Sequence, residues 1–307
     1  MTIFLNGLPV RGSQYAKNIN APAILFIPAD EIAQANDTLQ LQTLLTPLAP
    51  SQQHDKSSRF ESHTGMDCIA LSIPNQQDIE KPLTHVQAYL TQNRLIFIYE
   101  PLPAVDALIA LLNTPHDAPM QPERALYIFF NLLTEKDSSF LQDIEEEIAA
   151  LEDELAKDNT EINYTDEISL LRKKLLQWKR YYESLFDLLV DLEENQNGLF
   201  TKAQLHYFHI LTNRADRLSR AILNLRDYVT QVRESYQAQI DISLNQTMKL
   251  FTVLSAIFMP LTLLVGWYGM NLAMPEIHAP YAYPIVIAVS IAIVLVCLIV
   301  FKRKKWF

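Results

Sequence analysis

Between Leu250 and Met270 the chain carries no acidic or basic side chain, and a second apolar stretch from about Tyr281 to Phe301 runs into Lys302-Arg303-Lys304-Lys305. About 20 residues of helix cross a hydrocarbon core of roughly 30 Å, so each stretch is long enough to span a bilayer. A buried helical hairpin in a soluble core is the competing reading, and it leaves the cationic flank without a purpose. Two spans place both ends of the chain on one side. The basic tail and Lys249 assign that side to the cytoplasm and put the loop over residues 271–280 outside. The expectation is a multi-pass protein of the inner (plasma) membrane with both termini cytoplasmic. Met1–Val10 reads as a strand-like segment around Asn6-Gly7 rather than a basic and then apolar leader, so insertion is expected to rely on the C-terminal spans.

A formal net charge of -10 argues against nucleic acid as a partner and suits a protein that handles cations. The cysteines, Cys68 and Cys297, are too few and too differently placed for a disulfide framework or a metal knuckle. Six glycines leave no Walker loop or other phosphate-cradling turn. The reading is therefore not an enzyme, and no cofactor is expected.

Residues 1–121 are expected to form a cytoplasmic α/β domain, with β-like runs at Ala23–Ile27, Cys68–Ile73, His85–Leu90 and Arg94–Tyr99. The last two make a hairpin through Thr91-Gln92-Asn93, and Leu102–Leu112 follows with helical spacing. Between Leu39 and Ser58 the composition turns to Gln, Ser, Thr and Pro, the signature of a surface loop. Residues 122–200 read as helical arms, with breaks near Lys157–Tyr164 and Glu193–Gly198 that set off three arms in all. Ile144, Ile148, Leu151 and Leu155 stripe the first arm, and acidic residues fill its other faces. Arg172, Lys173, Lys174, Lys179 and Arg180 on the second arm would face them if the two fold back antiparallel. The third arm begins near Thr201 and has no Gly or Pro before Pro260. It predicts a stalk helix over 201–249 continuous with a first membrane helix over 250–270, on the order of 100 Å in all. Leu218, Ile222, Leu225, Val229 and Val232 ask for partner helices along its length. The outer loop over 271–280, a second membrane helix over 281–301 and a basic tail over 302–307 complete the chain.

Projected at 100° per residue, Asn245, Met248, Thr252, Ser255, Met259, Thr262 and Gly266 share one narrow stripe that mixes small polar residues with Met. Leu250, Leu254, Ile257, Leu261 and Leu264 occupy the opposite face. On residues alone the stripe fits either a pore lining or a helix contact. His206 and His209 sit at i, i+3 but lack a third ligand of evident spacing, which makes them ordinary surface or interface residues rather than a metal site.

Phe258-Met259-Pro260-Leu261-Thr262, Tyr268-Gly269-Met270-Asn271, Met274-Pro275-Glu276 and the Lys-rich end before Trp306-Phe307 together resemble the CorA family of magnesium channels. The resemblance is tight over the last sixty or so residues and extends to the arms by architecture. It implies a funnel-shaped homopentamer with an α/β cytoplasmic domain, a long helical stalk and two C-terminal transmembrane helices, the first lining a pore in a setting of membrane lipid. It also implies a selectivity filter at Tyr268, Gly269, Met270 and Asn271. There a ring of Asn271 amide oxygens would hold hydrated Mg²⁺ through its water shell. Glu276 would attract cations at the pore entrance, in a loop one residue shorter between Asn271 and Glu276 than in relatives. Met248, Phe251 or Thr252, and Met259 would form apolar rings that close the pore by expelling water. Mg²⁺ is then both cargo and regulatory ion. Family closure uses divalent ions held between subunits by acidic side chains. Ile210 stands where one of these would match, which leaves that sensor either altered or displaced to residues such as Asp216.

Three functions follow. The leading one is passive Mg²⁺ uptake, extending to Co²⁺ and Ni²⁺, driven by membrane potential and closed by cytosolic Mg²⁺. A Zn²⁺ transporter of the related ZntB branch shares Gly-Met-Asn, although Met274-Pro275-Glu276 favours the first. A membrane-anchored coiled-coil scaffold accounts for the arms but leaves the polar stripe and Asn271 unexplained.

Overall fold

The computed structural model describes residues 1–10, 21–39, 58–76, 78–114, 119–157, 164–270, 281–304 and 306. The chain divides into two compact units, Met1–Val232 and Arg233–Phe307.

The first unit is built on a seven-stranded sheet with spatial order β2-β1-β3-β7-β6-β5-β4. Its strands are β1 (Thr2–Leu5), β2 (Leu8–Val10), β3 (Ala23–Pro28), β4 (Arg59–His63), β5 (Met66–Ile73), β6 (Thr84–Thr91) and β7 (Arg94–Tyr99). All neighbours are antiparallel except β3 and β7. That parallel pair reads Ala-Ile-Leu-Phe-Ile and Leu-Ile-Phe-Ile without alternation and is buried on both faces, as a central parallel pair should be. The segment around Asn6-Gly7 is a hairpin. Both turn residues have positive φ, 51° and 78°, which the tight two-residue turn between twisted strands requires. Gly7 has a second reason to lack a side chain, since a Cβ there would lie 3.0 Å from Pro119 Cα.

One face of the sheet gathers Ile3, Leu25, Ile27, Cys68, Tyr89 and Ile96 against Ala35 of α1 (Ile32–Leu39). On the other face Phe4, Phe26 and Phe97 lead into Phe129, with successive ring centroids 6.1, 5.2 and 5.0 Å apart. Phe129 belongs to α3 (Pro122–Thr134), which packs with α2 (Pro103–Leu112). Both helices start with proline at the first turn, where its missing N–H costs nothing.

Beyond α3 come α4 (Asp137–Ala156), α5 (Thr165–Glu193) and α6 (Lys202–Tyr268). The break between α3 and α4 at Glu135-Lys136 is an extra division that no glycine or proline announces. At the end of α3 the Thr134 hydroxyl donates back to the Phe130 carbonyl at 3.0 Å. The stripes on α4, α5 and α6 interlock. Ile144, Ile148, Leu151 and Leu155 are buried, as are Leu175, Tyr182, Leu185 and Leu192, and as are Phe208, Leu211, Leu218, Ile222, Leu225, Val229 and Val232. Full burial of α6 within the chain stops at Val232 and resumes only at Val253, short of the full length expected; between them Tyr236, Gln239, Ile240, Ser243 and Lys249 are half-buried. The acidic and basic arms meet in one ion pair among the described residues, Lys174 Nζ to Glu147 Oε2 at 2.7 Å. Lys179 instead pairs with Glu183 on its own helix. Their contribution to stability is small, as both pairs are water-exposed.

In the second unit the end of α6 is joined by α7 (Ala282–Arg303), and both are long and apolar enough to cross a membrane. α6 covers Val253, with Ala256, Ile257, Pro260, Leu261 and Leu264 half-buried beside it. α7 half-buries Ala282, Val286, Ser290, Ile293, Cys297 and Phe301, a row at spacings of three and four in which small residues permit close approach.

Candidate ion pathway on the long helix

The stripe singled out by periodicity lies on the bare side of α6. Asn245, Met248, Phe251, Thr252, Ser255, Met259, Thr262 and Gly266 are all exposed in the single chain, Met259 at 72%. On a helical wheel the stripe's centre lies about 150° from the face covered by α7. Of the five residues expected opposite the stripe, Ile257, Leu261 and Leu264 are half-buried, while Leu250 and Leu254 remain exposed. Phe251 sits at the stripe's edge, about 70° from its centre.

Toward the end of α6 the stripe becomes a concave strip of about 660 Å³, walled by Phe258, Leu263 and Trp267 around Ser255, Met259, Thr262 and Gly266, and closed by Met270. A Cβ built on Gly266 meets nothing within 4 Å, so the strip is open at that position. The polar groups are sparse and neutral. The Thr252 hydroxyl donates to the Met248 carbonyl at 2.8 Å, which turns its lone pairs outward as acceptors. An oxygen-lined, uncharged surface alternating with bulky Met suits a cation that keeps its water shell more than one that sheds it.

α6 ends at Tyr268, and Gly269 forms the turn that follows. The Gly269 N–H still donates to the Val265 carbonyl at 2.8 Å, and a Cβ on Gly269 would lie 3.0 Å from that same oxygen. Close approach to a carbonyl, rather than a left-handed φ, is therefore what favours glycine at this position. Met270 remains 45% exposed. Asn271 and Glu276 lie outside the described residues.

Other candidates resolve differently. His209 Nδ1 lies 3.1 Å from Glu193 Oε2, which ties α6 to α5, and Glu193 also accepts from the Thr212 hydroxyl. No cluster of three or more potential metal-binding side chains occurs among the described residues. Asp216 is engaged by Arg220 one turn on, and Ile210 is exposed on the same helix.

Two arrangements escaped the sequence. Asn197, in the loop before α6, donates to Ser62 Oγ, the His63 carbonyl and Asp67 Oδ1 at 2.7 to 2.8 Å and accepts from the Gly65 N–H. It ties the foot of α6 to the β4–β5 turn. Asp137 is 1% exposed and accepts from Gln76 at 3.1 Å, and its Oδ2 and the Tyr182 hydroxyl are both buried without a well-formed hydrogen bond. Arg214 of α6 reaches the same corner, donating to Asn131 and Thr134. An isolated Asn in a loop and an Asp at a helix start look like ordinary turn chemistry, so neither carries a sequence signal of its partners.

Residues 29–303 match the family model of CorA-like Mg²⁺ transporter proteins. The chain belongs to the CorA family. That family is one of transporters rather than enzymes. The chain is similar to the cobalt/magnesium transport protein CorA of Thermotoga maritima, at 28% identity over 191 residues that cover 61% of this chain and 54% of that protein. The match thus spans about half the length of that curated relative. The complete structure of the CorA magnesium transporter from Methanocaldococcus jannaschii aligns with a TM-score of 0.76 and 22% identity, over 93% of this chain and 92% of that one. The ZntB cytoplasmic domain from Vibrio parahaemolyticus aligns with a TM-score of 0.58 and 17% identity, over 72% and 88%. At these identities the likeness is one of fold: the Methanocaldococcus structure shares the α/β domain, the long helix and the C-terminal apolar helix, and the ZntB match is to a cytoplasmic domain.

Proposed function

We propose that this CorA-family chain assembles in the inner membrane as a homopentameric, passive channel for Mg²⁺ that also passes Co²⁺ and Ni²⁺. The observation that carries the reading is the exposed stripe from Asn245 to Gly266, which faces away from α7 on a helix otherwise ready for lipid. Five such helices, stripe inward, enclose an uncharged, oxygen-bearing passage that leads to Tyr268-Gly269-Met270-Asn271. Asn271 supplies the outer ring for the hydrated ion, and Glu276 raises the local cation concentration at the mouth. Both termini stay in the cytoplasm. No chemical step is required, since a membrane potential of about 100 mV contributes on the order of 4.6 kcal/mol to a divalent ion moving inward. Cytosolic Mg²⁺ closes the channel by holding subunits in the arrangement where the Met248 and Met259 rings exclude water.

The test is ion flux into liposomes holding the purified protein, comparing Mg²⁺, Co²⁺, Ni²⁺ and Zn²⁺ with and without a proton gradient. Potential-driven Mg²⁺ influx that ignores the proton gradient is expected. Zn²⁺ flux that needs the gradient would point to the ZntB-like reading, and absence of all flux to a scaffold.

A further inference from the structure

Pro260 interrupts the hydrogen-bond ladder of α6 within the presumed ion-lining segment. Proline has no N–H, so the carbonyl four residues earlier, on Ala256, loses its helical donor. In a membrane water does not replace it, and the chain must satisfy that oxygen internally. Among the described residues a donor is present. The Cys297 thiol of α7 lies 3.7 Å from the Ala256 carbonyl oxygen, within reach for sulfur. Ala256 and Cys297 both sit on the half-buried faces where the two helices meet. The turn affected, residues 256–260, also carries Met259, about 130° around the helix from the centre of the face covered by α7.

We propose that Cys297 supplies the hydrogen-bond donor that Pro260 removes from α6, so that α7 fixes the turn on which Met259 is presented to the ion path. Cys297 is thereby a positioning residue. It touches no ion and acts through the backbone of the neighbouring helix. A proline at this point makes the helix easy to bend, and the thiol selects one bend from those available. The effect on ion passage rests on the transport reading above, whereas the hydrogen bond does not.

The test is a double-mutant cycle on the full chain, read by thermal midpoint in detergent and by Mg²⁺ uptake in liposomes. Cys297→Ala leaves the carbonyl unpaired and should lower the midpoint and change uptake about three-fold, the typical worth of a hydrogen bond between membrane helices. Cys297→Ser keeps a donor and should retain both properties. In a Pro260→Ala background the restored N–H reaches Ala256 within the helix, so adding Cys297→Ala should then change nothing. Equal losses in both backgrounds, or a serine variant as impaired as alanine, would overturn the proposal. Midpoints that obey the cycle while measurable uptake stays constant would overturn the positioning role. Midpoints that obey it while no variant, nor the parent, transports would uphold the hydrogen bond and sink the transport reading instead.

Discussion

Replacing Asp137 with Asn should stabilise the first unit, and by an amount that depends on pH in a defined way. Asp137 opens α4 at the corner where Gln76, Tyr182 and Arg214 converge. Burial drives its carboxyl from 3.8 up to about 6, against the opposing pull of the Tyr182 hydroxyl, the Gln76 amide and the Arg214 charge. A group whose pKa is higher in the fold than outside it favours the fold most at low pH, where it is protonated in both states. That stability is lost as pH rises through the interval from 3.8 to about 6, and above it the loss is constant. At 1.36 kcal/mol per tenfold change, the interval corresponds to about 3 kcal/mol of destabilisation at neutral pH. Asn carries no charge and can still accept from Gln76 through its amide oxygen. Asp137→Asn should therefore match the parent below about pH 4, gain through pH 5 and 6, and hold an advantage of up to about 3 kcal/mol at pH 8. Unfolding of the full-length protein in detergent reports this through Trp178, whose ring centroid lies 5.3 Å from Tyr181 and 5.5 Å from Tyr182. A variant no more stable than the parent at pH 8, or one whose advantage is the same at pH 4 and pH 8, would refute burial as the dominant influence on this carboxyl.

Asn271→Ala should abolish Mg²⁺ uptake in liposomes while cross-linking still reports pentamers, since the amide ring serves the ion and not the fold. Glu276→Gln should reduce uptake chiefly at low external Mg²⁺ and low salt, because a charge at the mouth acts through local concentration; a deficit indifferent to both would indicate direct coordination. Met248→Ser or Met259→Ser should let current persist at high internal Mg²⁺ in patch-clamp records, and full closure with normal sensitivity would move the gate elsewhere. Asn197→Ala removes the donor to three acceptors at the β4–β5 turn and should cost about 1 to 3 kcal/mol in denaturant titration, with Asn197→Asp little better because it cannot donate.

Periodicity served well wherever one face of an element is buried inside the chain. The stripes on α4 and α6 and the unbroken apolar runs of β3 and β7 are legible because a packed partner imposes the pattern. The β4 strand, Arg59-Phe-Glu-Ser-His63, was not legible: it is an edge strand, half-buried throughout, and edge strands need no apolar alternation. The division between α3 and α4 was missed because neither glycine nor proline marks Glu135-Lys136. At the candidate site, the stripe from Asn245 to Gly266 was readable because small polar residues are unusual in an apolar helix. The role of Gly269 was only half readable, as a sequence reveals that a side chain is missing but not which oxygen it would strike. The contact of Cys297 was not legible, because its partner is a backbone carbonyl on another helix and pairing rules for cysteine consider only disulfides and metals.

The stretch of α6 from residue 233 to 252, where nothing is fully buried within the chain, can be considered as a helix–coil problem. A helical stretch of this length with only a half-buried row at Tyr236, Gln239, Ile240 and Ser243 is marginal, and it leans on the cooperativity of the backbone ladder between its two ends. Ile242, Leu244, Met248 and Phe251 stand more than half exposed there, an apolar content beyond what a solvated segment would carry. In the proposed pentamer, neighbouring copies of this helix would cover these side chains and steady the stretch. Amide exchange here should accordingly run fast in dilute, dissociated protein and slow in the assembled state, which makes residues 233–252 an internal gauge of association that needs no ion and no label.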